Sequence, residues 1–207
     1  MPPILYRPLD RKDYSKVAAL LKATFHYDQL AGKWNAKRMS YAFMYSCLSE
    51  HTFAQVAEVD GQIIGIVAGK GEDVPITSTL LNWKLYYHYF LLLFTNEGKE
   101  IALSFRRNKQ AEDALYAYVK KTFNGKMSLL AVHPDYQHSN IGSQLFELFT
   151  AYLKEQEARD FFLFTDCRLN YSFYDSKGLE RQTVVSRYMP FYKQTVNFFL
   201  YSGEVTK

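Results

Sequence analysis

The 207-residue sequence predicts a mixed α/β (α+β) fold in one domain carrying an insertion at residues 71–125. Three observations point there. β-rich runs alternate with amphipathic helical stretches, two β runs meet at a turn dipeptide near residue 60, and an apolar strand runs through a small, polar turn into a helix over 129–145. A hydrophobic content of 48% with 17% aromatic residues supplies a core and excludes a disordered chain.

Ile4 to Arg7 reads as a short strand and Lys12 to Phe25 as a helix, with Asp10 as its cap and Val17, Leu20, Leu21 and Thr24 near one face. Ala36 to Ser49 is a second helix, in which the four-residue spacing of Met39, Phe43 and Cys47 predicts core contacts. Thr52–Glu58 and Gln62–Gly69, joined through Asp60-Gly61, form a hairpin. Within the insertion, Leu80–Phe94, Lys99–Arg107 and Gln110–Phe123 read as three helical segments. Tyr86, Tyr87, His88 and Tyr89 lie in the first; they are candidates for acceptor contacts, but so dense an aromatic stretch is more often core. Met127–Val132 returns to strand, Ile141–Glu157 is helix and Phe161–Asp166 is strand. Near the end, Val196, Phe198 and Leu200 alternate with Asn197, Phe199 and Tyr201.

Composition narrows the function classes. A net charge of +4 is spread along the chain, so it favours an anionic ligand without indicating nucleic acid. Cys47 and Cys167 are far apart with no ligand spacing, which indicates neither a disulfide framework nor a metal site and fits a reduced, cytoplasmic protein. No secretory signal follows Met1-Pro2-Pro3-Ile4, and the apolar run Leu85–Phe94 is about half the ~20 residues that span a bilayer, so no membrane association is expected.

The turn from Leu129 to Leu145 carries the chemistry. Asn140 and Gly142 accept left-handed or tight backbone, and Ser143 is small enough for a ligand to approach the main chain. The N–H groups that open the following helix have no intrahelical acceptor, so they and the helix dipole form an anion site.

Two motifs in this order resemble the GNAT superfamily of acyl-CoA-dependent N-acetyltransferases. Gln137-His138-Ser139-Asn140-Ile141-Gly142 is similar to the family's Gln/Arg-x-x-Gly-x-Gly/Ala pattern, with Asn140 standing at the first glycine. Asn170-Tyr171-Ser172-Phe173-Tyr174-Asp175-Ser176-Lys177-Gly178-Leu179 resembles the Asn…Phe-Tyr-x-x-x-Gly-Phe segment after the fifth strand, with Leu179 for the usual Phe. The likeness covers residues 1–70 as architecture and 126–203 as motifs. It implies a twisted, mostly antiparallel sheet of about seven strands flanked by helices, with acetyl-CoA as acyl donor, no metal, and a small-molecule or peptide amine as acceptor. The insertion is similar to helical insertions in some bacterial members; it covers the acceptor site, adds a helical layer, or provides a homodimer surface.

The resemblance also assigns residues. Leu130, Ala131 and Val132 give main-chain contacts to the pantetheine arm, with the Val132 N–H as oxyanion donor. Gln137, His138, Ser139, Asn140, Ile141, Gly142 and Ser143 hold the pyrophosphate, largely through backbone N–H groups. Tyr174 matches the tyrosine that protonates the leaving thiolate. Asn170 matches a residue that bonds the cofactor arm, and it equally fits a turn or cap. Many members carry an acidic base early in the fourth strand, where Lys126 and Met127 stand here. Glu58 and Asp166 are the substitutes, and without that base a CoA-binding sensor lacking turnover is the alternative to an enzyme. A dinucleotide-binding Rossmann protein is disfavoured because no glycine-rich turn follows the first strand.

Overall fold

A computed structural model describes residues 3–71 and 78–205. Met1-Pro2 of the expected leaderless start and residues 72–77 of the expected insertion lie outside them. Seven strands form one sheet, β1 (Leu5–Pro8), β2 (Phe53–Val59), β3 (Gln62–Gly71), β4 (Gly125–Val132), β5 (Asp160–Asp166), β6 (Glu180–Met189) and β7 (Gln194–Glu204). Their order is β1-β2-β3-β4-β5-β7-β6, antiparallel at every junction except β4–β5. The expected mixed, mostly antiparallel sheet is therefore the observed one.

The hairpin between β2 and β3 turns on Asp60 (φ 48°) and Gly61 (φ 78°). Two consecutive left-handed residues match the right-handed twist of the flanking strands, which is why the Asp-Gly pair was readable. At the first corner, the Arg7 guanidinium on β1 bonds both buried Asp13 and Glu58 of β2. Its positive charge holds the Asp13 carboxyl below the usual range.

Helices α1 (Tyr14–Thr24) and α3 (Lys33–Leu48) cover one face of the sheet, where Val17, Leu20, Leu21 and Leu48 pack on Val56, Ile66, Leu129 and Ala131. Between them lies a short helix, α2 (Tyr27–Leu30), that the sequence pattern did not reveal. Helix α6 (Ile141–Glu155) covers the opposite face, with Leu145, Phe149 and Leu153 against Val67, Met127 and Leu163. The short α7 (Ser172–Ser176) lies beside it.

Between β3 and β4 stand α4 (Thr79–Leu92) and α5 (Asn96–Val119). The second and third helical segments expected from sequence are one 24-residue helix. Neither Gly nor Pro separates Arg107 from Gln110, and Asn108 costs only tenths of a kcal/mol, about 0.7 at most. Ala111 and Leu115 of α5 pack on Val185, Val196, Phe198 and Leu200, so this segment supplies a helical layer for the C-terminal half of the sheet. Phe199 and Tyr201 of β7 face α6 instead, as their alternation predicts. The expectation that the α4 aromatics are core fails for half of them. His88 is buried and Tyr89 partly so, whereas Tyr86 and Tyr87 join Trp83 and Phe90 on the solvent side. The apolar character of α4 runs right around the helix, so sequence spacing gives no buried face. No helix among the described residues is long and apolar enough to cross a membrane.

Candidate active site

The two central strands part company early. β4 and β5 pair only at Lys126↔Phe162 and Met127↔Leu163, although β4 stays paired with β3 up to Val132 and β5 with β7 up to Asp166. The cause is local. Ala68 pairs with Leu129 but Gly69 pairs with Met127, which leaves Ser128 as an extra residue in β4. A bulge of this kind bends the strand that carries it, and here the bend carries β4 away from β5. The His133 N–H bonds Ile64 O at 2.8 Å on the β3 side. Strand alternation then turns the Leu130 and Val132 N–H groups toward β5, where no strand residue stands opposite them. The Val132 carbonyl accepts from Thr24 Oγ1 at 3.3 Å, which ties the end of α1 to the lip of the cleft. Ala131 is buried in the core, while Leu130 and Val132 are half-buried.

The chain then turns sharply. His133 caps a 3-10 turn at Pro134–Tyr136 by accepting from the Asp135 N–H at 3.3 Å, so its ring serves the turn. Ser139 Oγ bonds the Tyr136 carbonyl. Gln137 and His138 are exposed. His138 (φ 65°) and Asn140 (φ 64°) both take left-handed backbone, so Asn140 occupies the conformation expected at the family's first glycine. No side chain caps α6, and its first intrahelical bond is Gln144 N–H to Asn140 O at 3.0 Å. The N–H groups of Ile141, Gly142 and Ser143 therefore open the helix without a side-chain cap. A Cβ built on Gly142 meets Val132 and Phe173 at 3.7 Å, ordinary contact distance. The protein's own packing does not demand glycine there; the small residue leaves the helix mouth open. The same contacts show that the end of β4, the start of α6 and the α7 segment converge at this point.

Tyr174 lies on α7, half-buried, with its ring 5.5 Å from Phe173 and 5.8 Å from Tyr201. Burial pushes its phenol well above the ordinary tyrosine range. Asn170 Oδ1 accepts from Ser172 Oγ at 2.8 Å, a contact within the turn.

Neither substitute for the missing strand-four carboxylate is unengaged. Glu58 is bonded by Arg7. Asp166 accepts from Arg168 Nε at 2.9 Å and Nη2 at 2.7 Å, and the guanidinium carbon of Arg168 lies 3.8 Å from the Tyr192 ring centroid. Thr24 and Arg168 are features of this region that sequence reading missed, since Thr24 and Val132 are 108 positions apart. Cys47 is buried, and burial pushes its thiol up to about 12, which leaves it inert. Among the described residues no group of three or more His, Cys, Asp or Glu is placed to hold a metal. One cavity of about 410 Å³ lies farther along α6, against Phe161 and Leu179, and includes none of the cleft or turn residues.

Comparison with known proteins agrees with this geometry. The sequence matches the model of the Acetyltransferase (GNAT) family over residues 16–176. No curated protein matches it significantly. Among solved structures, an N-acetyltransferase from Staphylococcus aureus superposes with a TM-score of 0.57 at 11% identity, covering 99% of each chain. The ribosomal-protein-S18-alanine N-acetyltransferase from Escherichia coli gives 0.55 at 14%, covering 99% of this chain and 96% of that one. The PaiA N-acetyltransferase from Thermoplasma acidophilum, in complex with coenzyme A, gives 0.54 at 13%, covering 98% and 99%.

Proposed function

The chain belongs to the acetyltransferase (GNAT) family, and on that premise we propose that it moves the acetyl group of acetyl-CoA directly onto a primary amine of a small molecule or peptide. The observation that carries this reading is the convergence at Gly142 of an unpaired strand edge, an uncapped helix start and the Tyr174 segment. Acetyl-CoA has an arm that bonds as an extended strand does and a pyrophosphate that suits a helix N-terminus, so the residues fit it. Leu130, Ala131 and Val132 would hold the arm through their main chain. Gln137, His138, Ser139, Asn140, Ile141, Gly142 and Ser143 would hold the pyrophosphate. Asn170 would contribute its amide nitrogen, since its oxygen is taken by Ser172.

The thioester supplies an activated carbonyl. In this scheme the Val132 N–H faces the oxygen that gains charge as the amine attacks. Tyr174, protonated at neutral pH as an ordinary tyrosine is, donates its proton where negative charge develops on the departing sulfur. The unpaired Cys47 and Cys167 agree with a reducing, cytoplasmic setting.

A second reading, an acyl-CoA sensor without turnover, draws on the engagement of Glu58 and Asp166 by arginines. Free-thiol release from acetyl-CoA across a panel of amines separates the two, since a sensor releases none. Binding itself is tested by thermal melting. Acetyl-CoA at 100-fold its Kd is expected to add about 2.7 kcal/mol, raising Tm by roughly 5–10 °C. Gly142→Glu places a carboxylate against the pyrophosphate and is expected to remove most of that shift while the unliganded protein still melts cooperatively. Unchanged CoA affinity in that variant rules out this helix mouth as the binding site.

A further inference from the structure

Helix α4 is apolar on both sides, and only one side is covered. Leu81, His88 and Leu92 are buried on the inner side, where the His88 ring stacks on Tyr41 and Tyr45 of α3. The outer side presents Leu80, Trp83, Tyr86, Tyr87, Phe90 and Leu93, at the three- and four-residue spacing of one helical face. Trp83 is 71% exposed, and Phe94, whose ring meets Phe90 edge-on at 5.1 Å, is 68% exposed. The five rings leave about 600 Å² of surface in water, given roughly 150–250 Å² for a whole aromatic side chain. With Leu80 and Leu93 added, the face exceeds the ~300–600 Å² of an ordinary monomer's largest apolar patch and approaches the ~800 Å² that each partner gives to a stable interface.

Charge and order say what covers it. Between Ser78 and Phe94 the one charged side chain is Lys84, and its Nζ turns inward, 5.6 Å from the Tyr45 ring centroid and 5.9 Å from that of Tyr14. A charged partner therefore meets no counter-charge on this face. Neither does an anionic membrane, which interfacial helices grip through Lys and Arg beside their apolar side. Read from either end, the face runs Leu, aromatic, Tyr, Tyr, aromatic, Leu: Leu80 mirrors Leu93, Trp83 mirrors Phe90, and Tyr86 mirrors Tyr87. A two-fold axis between Tyr86 and Tyr87 sets each residue against its mirror mate in an antiparallel second copy of the helix. Groups near such an axis meet their own kind, which penalises a charge and suits uncharged rings. We propose that the outer face of α4 is the interface of a homodimer, in which the α4 helices of two chains pack antiparallel about that axis.

The two tyrosines lie at the centre of this contact, with a Trp83–Phe90 pair on each side and the leucines at its ends. Aromatic anchors at the middle of an interface carry most of its energy, and the tyrosine hydroxyls can bond each other or water at its edge. The helix is ordered before it pairs, because α3 holds it through the His88 stack and Lys84, so little backbone freedom is lost on association. Two-fold symmetry uses up the face in one step and stops assembly at two copies. The segment between β3 and β4 then has two tasks, α5 covering the C-terminal half of the sheet and α4 covering a second chain. The pairing stands whether or not the chain turns over acetyl-CoA.

The test is molar mass by sedimentation velocity and light scattering, from about 1 to 100 µM, for wild type, Trp83→Glu and the double variant Trp83→Glu/Phe90→Lys. Wild type is expected at twice the chain mass by about 10 µM, within the affinity range of an interface of this size. Trp83→Glu sets an unpaired carboxylate against Phe90 of the second copy and should raise the dimer Kd about 100-fold or more. Its circular dichroism should not change, since Trp83 is on the surface. In the double variant the new carboxylate of each chain faces the new ammonium of the other, so the dimer should return, which a merely sticky surface would not do. A wild type that stays monomeric at about 100 µM overturns the proposal, and flotation of that monomer with phosphatidylcholine or phosphatidylglycerol vesicles assigns the face to a membrane instead. A mass that keeps growing beyond two chains overturns the closed two-fold pairing. A dimer indifferent to Trp83→Glu, or a double variant as monomeric as the single one, overturns the antiparallel contact at Trp83 and Phe90.

Discussion

Asn140 takes a φ of 64° where the family pattern has glycine. Among residues with a Cβ, Asn pays least for the left-handed region, so the turn survives the exchange and the helix start stays uncapped. The departure from the motif that stood out in the sequence is therefore conformationally quiet. Tyr174 is the residue where function and stability separate most cleanly. Its hydroxyl makes no hydrogen bond with any described residue, while its ring packs against Phe173 and Tyr201. Tyr174→Phe keeps that packing and removes only the proton. The variant is expected to retain the acetyl-CoA melting shift and its unliganded Tm within about 2 °C, and to lose about 10²-fold in kcat, within the range of acid–base catalysis. Full activity across pH in this variant removes the acid role from Tyr174.

At the scale of elements, what could be read depended on whether the signal was local. The Asp60-Gly61 hairpin, the strand-turn-helix at 129–145 and the alternation of β7 each lie within one short stretch of sequence, and each is where the residues placed it. The bulge at Ser128 that opens the cleft has no local signal, since it is defined by the register of β4 against β3. Strand β6 escaped separate reading because it lies at the sheet edge with most side chains exposed, so no alternation marks it. The α4–α5 corner is tight. A Cβ on Gly98 would stand 2.0 Å from the Leu92 carbonyl oxygen, a backbone atom that cannot swing aside. Thr95 caps α5 by accepting from the Gly98 N–H at 2.9 Å, and Asn35 of α3 bonds Thr95 Oγ1 at 3.0 Å. Gly98→Ala must therefore push the two helices apart and disturb their anchor on α3. A loss of roughly 1–3 kcal/mol is expected, measurable by urea unfolding. Wild-type stability in Gly98→Ala means the corner relaxes without cost.

For the whole molecule, α4 and α5 make one body with the sheet, and that coupling sets the response to acid. His88 of α4 is buried, its ring centroid 5.0 Å from that of Tyr41 and 5.7 Å from that of Tyr45, both on α3. Its Nδ1 has no hydrogen-bond partner among the described residues. Burial first, then the positive charges of Arg38, Lys37 and Lys84, lower its pKa from 6.5 to about 4. Between those two values the unfolded chain binds a proton that the folded protein refuses, so stability falls as pH drops through that window. The full shift corresponds to at most about 3.4 kcal/mol. Asp13 acts in the same sense at lower pH. Its carboxyl is held below the usual 3.8 by Arg7, so the stability from that pair is present above the unfolded value and is lost as pH falls through the folded one. The expected curve of unfolding free energy is flat above about pH 7, declines from 6.5 to 4, less steeply where the raised Glu112 carboxyl takes up a proton in the folded state, and falls again below that. His88→Phe preserves the stack on Tyr41 and cannot charge. Urea unfolding of this variant should therefore lose the decline between pH 6.5 and 4 and keep the one below it. A variant whose curve still drops through the upper window places the acid sensitivity on other groups and separates α4 from the molecule's response to pH.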